Sequence, residues 1–194
     1  MAAAALRASA ASFERIDTHT HIHRGAPALL ESMAQEGWRG LSICDSRAVG
    51  DQASDLEEMI QGTTGVHRQS NGRLAWATTF DARDFEKPDF AGRVIAGLQQ
   101  GFKQGAIAVK IWKNIGMGIR SKSGEHLLAD HPALLPIYEA TQKAGKALIA
   151  HLGDPNAAWL RGAQAAGKDT ILAARDRILS RFPRLRVVGC HLGS

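Results

Sequence analysis

Six short apolar runs alternate with amphipathic segments along the 194 residues of this chain, and that alternation constrains the fold more than any other feature. Short apolar runs predict β-strands, whereas the segments between them repeat apolar residues at helical spacing. A regular strand–helix rhythm is typical of a parallel sheet covered by helices on both faces. The predicted strands span residues 14–22, 40–44, 73–80, 106–112, 147–151 and 185–191.

Five helices are predicted between these strands. Asp130 is expected to cap a helix that carries Pro132 in its first turn and ends at Gly145. Asp169 is expected to cap a second helix, over residues 170–182. The other predicted helices span residues 27–37, 51–62 and 90–102, and the segment 51–62 has the weakest pattern of the three.

Polar side chains stand at the ends of the predicted strands, among them His21, His151 and His191. This is the layout of a TIM barrel, whereas an open doubly wound sheet gathers its reactive groups at one switch point. The predicted fold class is therefore an α/β TIM (β/α)8 barrel. A complete barrel takes about 250 residues. The six strands counted here thus predict an incomplete barrel over residues 14–194, with about six of the eight β/α units.

Composition narrows the classes of partner. The chain contains no apolar run near the ~18–20 residues that span a bilayer, and no nucleic-acid motif accompanies its net charge of +5. We therefore expect neither a membrane nor a nucleic acid as partner, and we expect a small-molecule substrate, with a weak preference for an anionic one. Assembly into a homo-oligomer is left open. The alanine-rich residues 1–13 are interpreted as a disordered extension or an export-signal remnant, so the compartment is cytoplasmic by default, with export as the alternative.

The segment Arg15–Arg24, R-I-D-T-H-T-H-I-H-R, carries the clearest chemical signal. Every second residue of a strand faces the same side, so one carboxylate and three imidazoles share a face. Such a face makes a poor core, and two imidazoles at this spacing can reach one divalent cation at ~2.0–2.1 Å. The residues on this face are Asp17, His19, His21 and His23, of which Asp17 is expected to orient a ligand and His23 to lie at the rim.

Four segments together resemble the amidohydrolase superfamily, and within it the ACMSD-like amidohydrolase-2 group. They are D-T-H-T-H, G-A-I-A-V-K-I-W-K-N-I-G, A-L-I-A-H-L-G-D-P and V-V-G-C-H-L-G. The resemblance implies that His19, His21 and His151 ligate one divalent metal per chain, most readily Zn²⁺. It also implies that His191 is a further ligand or an acid–base catalytic residue. The superfamily has an aspartate on strand eight that the six predicted strands do not contain, so we expect a C-terminally truncated enzyme.

Two cationic residues are candidates for substrate binding. Lys110 lies on the fourth predicted strand, where a charged amine is costly to bury. It is expected to pair with Asp17 or Asp81, or to bind a substrate carboxylate; in some branches of the superfamily a lysine there is carbamylated and bridges two metals. Arg120, in the Gly-rich loop 114–130, is either an anion-binding residue or a solvated loop arginine.

The resemblance implies a hydrolase that acts on a small-molecule C–N or C–O bond through a metal-activated water. Non-oxidative decarboxylation within the same superfamily is one alternative. A second alternative is a fragment that is inactive by itself, because it lacks the strand-eight aspartate. A TatD-like nuclease is a third, although that class is expected to carry a glutamate at the end of strand four, where this chain has Lys110.

Overall fold

The computed structural model describes residues 14–51, 53–153 and 165–190, which form one sheet with intervening helices. The predicted extension 1–13 therefore lies outside the described residues. Each strand pairs in parallel with the next one along the chain, so the order in the sheet is the order in the sequence. The strands are β1 (Arg15–Thr20), β2 (Trp38–Ile43), β3 (Leu74–Thr79), β4 (Ala108–Ile111), β5 (Ala147–Ala150) and β6 (Val187–Gly189).

Helices connect these strands. They are α1 (Pro27–Gln35), α2 (Leu56–Gln69), α3 (Phe90–Lys103), the single turn α4 (Asn114–Met117), α5 (Leu135–Lys143) and α6 (Lys168–Arg181). The fold is the incomplete TIM barrel that the sequence predicts: a curled sheet of six parallel strands with helices between them. None of the helices in the described ranges is long and apolar enough to cross a membrane.

The two faces of the sheet bury different residues. The inner face contributes one side chain from each of five successive strands or strand ends, as expected inside a barrel. These inner residues are Ile43, Ala77, Ala108, Ile149 and Cys190. The outer face packs against the helices through a larger cluster, whose members include Phe90 and Leu98 of α3, Tyr138 of α5 and Ile178 of α6.

Three predicted helix starts are wrong. Helix α2 begins at Leu56, five residues after its predicted start at residue 51, and it ends at Gln69 instead of residue 62. The helix expected after Asp130 and Pro132 begins at Leu135, because residues 128–134 form tight turns instead of a first helical turn. The Asp130 carboxylate lies 2.5 Å from Arg177 of α6, so it pairs with another helix and does not cap its own. In α6 the residue before the first turn is Gly167, and Asp169 lies inside that turn, where a negative charge still favours the helix dipole.

Candidate metal centre

The pairing of β1 with β2 places the residues that follow β1. The register between these strands shifts between Asp17 and Thr20, and β1 ends at Thr20. Beyond that point the Ser42 hydroxyl donates to the Ile22 carbonyl (3.0 Å) and accepts from the Ile22 amide (2.9 Å). The chain after the strand is therefore held beside β2 at the carboxyl edge of the sheet.

Three side chains converge at this edge, His21, His23 and Asp45. One candidate ligand atom of each lies within 4.8 Å of those of the other two. Asp45 follows β2 after one residue, and its Oδ2 lies 3.7 Å from His21 Nδ1. The ring centroids of His21 and His23 are 5.9 Å apart. The spacing allows all three side chains to share one cation.

Hydrogen bonds assign the tautomer of both imidazoles. His21 Nδ1 lies 2.9 Å from the Ile43 carbonyl oxygen, which can only accept, so Nδ1 carries the proton. His23 Nδ1 lies 2.8 Å from Thr63 Oγ1, and that hydroxyl already donates its own proton to the Met59 carbonyl (2.8 Å). His23 Nδ1 is therefore also a donor. The Nε2 lone pair of each ring remains available as a ligand.

The surroundings of His23 fit a metal ligand. Its Nε2 atom is buried and has no hydrogen-bond partner among the described residues, although buried polar atoms normally have one. Burial, together with the neighbouring His21 ring, lowers the pKa of His23. The ring is therefore neutral at neutral pH. A neutral imidazole that donates Nδ1–H to a protein oxygen is the form that ligates metals through Nε2. The donor set fits a divalent cation.

Arg47 is the counter-ion of the Asp45 carboxylate. Its Nε lies 3.0 Å from Oδ1 and 3.0 Å from Oδ2, and its Nη2 lies 2.9 Å from Oδ2. These hydrogen bonds raise the pKa of Arg47, so the guanidinium stays charged. The next strand end repeats the arrangement, since Arg83 forms the same bidentate pair with Asp81 after β3.

The loops after β2 and β4 are joined beside this centre. Asn114 is buried, and its Nδ2 donates to the carbonyls of Ser46 (2.9 Å) and Ala48 (3.2 Å). The guanidinium carbon of Arg47 lies 5.8 Å from the centroid of the Trp112 ring, which directly follows β4. The position of Arg47 therefore depends on both loops.

The predicted ligands lie at the same edge, but they do not all converge. The ring centroids of His19 and His21 are 5.3 Å apart, and the His19 side chain is exposed on β1. His151 is half-buried just after β5, where its amide donates to the Ile111 carbonyl. In the described ranges, the group of converging ligand atoms includes neither His19 nor His151. The ligand set His19, His21 and His151 stays a prediction.

His191 lies outside the described residues, so its predicted catalytic role is untested. Sequence reasoning placed His23 at the rim, and it noted Asp45 after the second predicted strand without assigning it as a metal ligand. One signal that pointed to Asp45 was the Asp-x-Arg pattern, which follows both β2 and β3.

Lys110 is buried inside the barrel, with 1% of its surface exposed. Its Nζ donates to the Cys190 sulfur at 2.8 Å. This hydrogen bond connects β4 to the residue that follows β6. The expected pairing with Asp17 or Asp81 is wrong, because neither carboxylate forms an ion pair with Lys110 in the described part of the chain. Asp81 is held by Arg83 instead.

Arg120 does not belong to the converging group of His21, His23 and Asp45. It is exposed in the loop between α4 and α5, where its backbone bridges to His126. Its guanidinium donates to the Gly124 carbonyl at 2.7 Å, which closes that loop. A role in substrate binding stays a prediction for both Arg120 and Lys110.

Comparison with known proteins identifies the fold. Neither a family model nor a curated protein matches the sequence. Among solved structures, an uncharacterised TIM-barrel protein from Bordetella bronchiseptica matches with a TM-score of 0.61 and 16% identity, over 90% of this chain and 66% of that one. 2,6-Dihydroxybenzoate decarboxylase from Rhizobium matches with a TM-score of 0.57 and 12% identity, over 90% and 65%.

Dihydroorotase from Saccharomyces cerevisiae, solved with 5-fluoroorotic acid, matches with a TM-score of 0.52 and 14% identity, over 90% of this chain and 46% of that one. At such identities the likeness establishes the TIM-barrel fold. This chain spans 46% to 66% of the length of the three solved chains.

Proposed function

We propose that this chain is part of a metal-dependent enzyme of the amidohydrolase type, which hydrolyses a C–N or C–O bond of a small molecule. The observation that carries the proposal is the convergence of His21, His23 and Asp45 at the carboxyl edge of the barrel. TIM-barrel enzymes place their active sites at this edge. The motifs that resemble the superfamily support the same reading.

The imidazoles of His21 and His23 and the Asp45 carboxylate would hold one divalent cation, with zinc the best match to two nitrogen donors and one carboxylate. A cation there supplies Lewis acidity and makes water nucleophilic at neutral pH. Other residues of the chain fix the orientation of the two imidazole rings. The Ile43 carbonyl and the Thr63 hydroxyl fix the two rings through their Nδ1 protons. His191 is proposed, from the resemblance, to move protons to or from the substrate.

Zinc titration of the full chain against a competing chelator tests this proposal. We expect about one equivalent per chain, as in a mononuclear site. Separate His21→Ala and His23→Ala variants should lose the tight equivalent, because each removes one of the converging donors. His126→Ala is the control, since its ring lies in the loop between α4 and α5, and it should bind zinc as the parent does.

The same titration separates the two ligand sets. If His151→Ala abolishes binding while His23→Ala retains it, the set of His19, His21 and His151 replaces the one proposed here. If the parent chain binds no zinc, the proposal is wrong.

Non-oxidative decarboxylation of an aromatic acid is the second candidate reaction. It is favoured by an aromatic ring flanked by cations: Lys113 Nζ lies 5.1 Å and the Arg47 guanidinium carbon 5.8 Å from the centroid of Trp112. Such a group suits a flat, anionic substrate. The decarboxylase from Rhizobium shares the fold. Release of carbon dioxide from benzoate derivatives would identify this reaction, whereas turnover of amides, esters or lactones would identify hydrolysis.

A further inference from the structure

We propose that Arg47 holds the Asp45 carboxylate in the metal-free protein and releases it when a divalent cation binds, so that Arg47 sets the metal affinity of the site. The inference rests on the proposed function, because it requires a cation at His21, His23 and Asp45. It assigns a positioning role to a residue that contacts a ligand of the metal, not the metal itself.

The geometry makes the Asp45 carboxylate the point of competition. One of its oxygens lies within 4.8 Å of a ligand atom of His21 and of His23. Both oxygens accept from Arg47: Oδ1 from Nε (3.0 Å), and Oδ2 from Nε (3.0 Å) and Nη2 (2.9 Å). A cation held by the histidines would need a carboxylate oxygen at the ~2.0–2.2 Å of a metal–carboxylate bond. Whichever oxygen binds it, the cation and the guanidinium compete for the same carboxylate.

Burial decides which partner can move. The Asp45 side chain is 1% exposed, whereas that of Arg47 is 59% exposed. A buried carboxylate without a counter-ion is strongly unfavourable, so Asp45 needs Arg47 as long as no metal is present. The largely exposed guanidinium can turn into solvent, where it is well hydrated. Exchange of one cation for another thus keeps the carboxylate compensated in both states.

This exchange has an unusual consequence for a variant that lacks the guanidinium. Removal of Arg47 leaves Asp45 uncompensated in the metal-free protein, which therefore loses stability. The metal-bound protein loses less, because the cation has already replaced Arg47. By linkage, metal binding must then become tighter by the difference. A purely structural role for Arg47 would lower stability without tightening metal binding.

The test compares zinc affinity and thermal stability of the parent with those of Arg47→Met and Arg47→Lys. We expect Arg47→Met to bind zinc at least about tenfold more tightly, because the cation then restores a counter-ion to a buried carboxylate that has lost Arg47. It should also melt at a lower temperature in chelator and recover most of the loss in zinc. Arg47→Lys keeps the charge and should stay closer to the parent.

Arg83→Met is the matched control. It removes the same bidentate pair with an aspartate two residues earlier, on the next strand end. No histidine belongs to a converging ligand group with Asp81 in the described ranges. Arg83→Met should therefore lose stability with zinc affinity unchanged.

A measurement on the parent keeps the inference falsifiable if Arg47→Met does not fold. In nitrogen-15 spectra, zinc should shift the Arg47 Nε–H signal and speed its exchange with water, while the Arg83 signal stays in place. Zinc binding that leaves the Arg47 signal unchanged, or an Arg47→Met variant that binds zinc no more tightly than the parent, overturns the inference and leaves the proposed function intact. A parent that binds no zinc overturns both.

Discussion

At the scale of single residues, Cys44 gives the protein a pH-dependent stability. Its side chain is completely buried, and burial raises the pKa of the thiol to about 11 from 9.0. An acid with a raised pKa in the folded state stabilises the fold below its unfolded pKa and loses that effect as the pH rises. We expect the free energy of unfolding to fall between about pH 9 and 11, by up to about 2–3 kcal/mol.

Urea unfolding of the parent and of Cys44→Ala at several alkaline pH values checks this expectation. The variant should show a flatter pH dependence below pH 10, before Tyr138, whose pKa is also raised by burial, begins to contribute. Parallel curves for the two proteins would mean that another group causes the alkaline loss of stability.

Single residues also show where sequence reasoning ends. The spacing in Arg15–Arg24 predicted one polar strand face, but His21 and His23 lie beyond the end of β1 at Thr20, and the four central residues of β1 are all exposed instead of alternating. The partners of these side chains are not local. The expected carboxylate partner of Lys110 proved to be the Cys190 sulfur, 80 positions away in sequence. The repeated Asp-x-Arg pattern marks Asp45, but the sequence alone does not show that the Arg47 guanidinium pairs with that carboxylate.

At the scale of elements, α2 supports the candidate metal centre through one glycine. A Cβ atom at Gly62 would lie 1.9 Å from the His23 carbonyl oxygen, so the helix can approach the loop after β1 only without a side chain there. We expect Gly62→Ala to lower the free energy of unfolding by about 1–3 kcal/mol, as overpacking does. It should also weaken zinc binding, because His23 is displaced. Urea unfolding and the chelator titration measure the two effects.

Gly65 provides the control within the same helix, since a Cβ atom there would meet nothing within 4 Å. Gly65→Ala should raise the free energy of unfolding by up to about 1 kcal/mol through helix propensity alone. If both variants gain stability, the close approach of α2 to the loop after β1 does not exist in solution.

Most elements could be predicted because their periodicity is local. The bounds of β5 and α3 differ from the predicted ones by one residue at most. The start of α5 could not be predicted from local sequence. Asp130 is a residue type that often caps helices, but here its carboxylate forms an ion pair with Arg177 of α6 instead. Helix α2 was predicted too short at its carboxyl end: it continues to Gln69, and Thr63 and Thr64, just beyond the predicted end, are buried.

At the scale of the whole molecule, the strands of the sheet differ in how far they are buried from solvent. All four residues of β4 are buried, whereas β1 is mostly exposed and Val188 of β6 is 52% exposed. In the described part of the chain, β1 and β6 are the strands with a single neighbour. We expect amide hydrogen exchange to be slowest in β3 and β4 and fastest in β1 and β6, because edge strands open by local fluctuations.

Exchange measured by mass spectrometry on the full chain tests this order. Uniform protection of all six strands would mean that both sheet edges are covered in solution. The zinc-bound protein should show added protection at the end of β1, next to His21 and His23.

The amide of Asn114 has a practical consequence for anyone who redesigns this barrel. The Asn114 side chain, in the turn after β4, donates hydrogen bonds to the backbone of the loop after β2, so the two loops form a single unit. Replacing either loop with that of another scaffold would break these hydrogen bonds and shift Asp45 together with Arg47. Recombination libraries should therefore exchange the two segments as a pair.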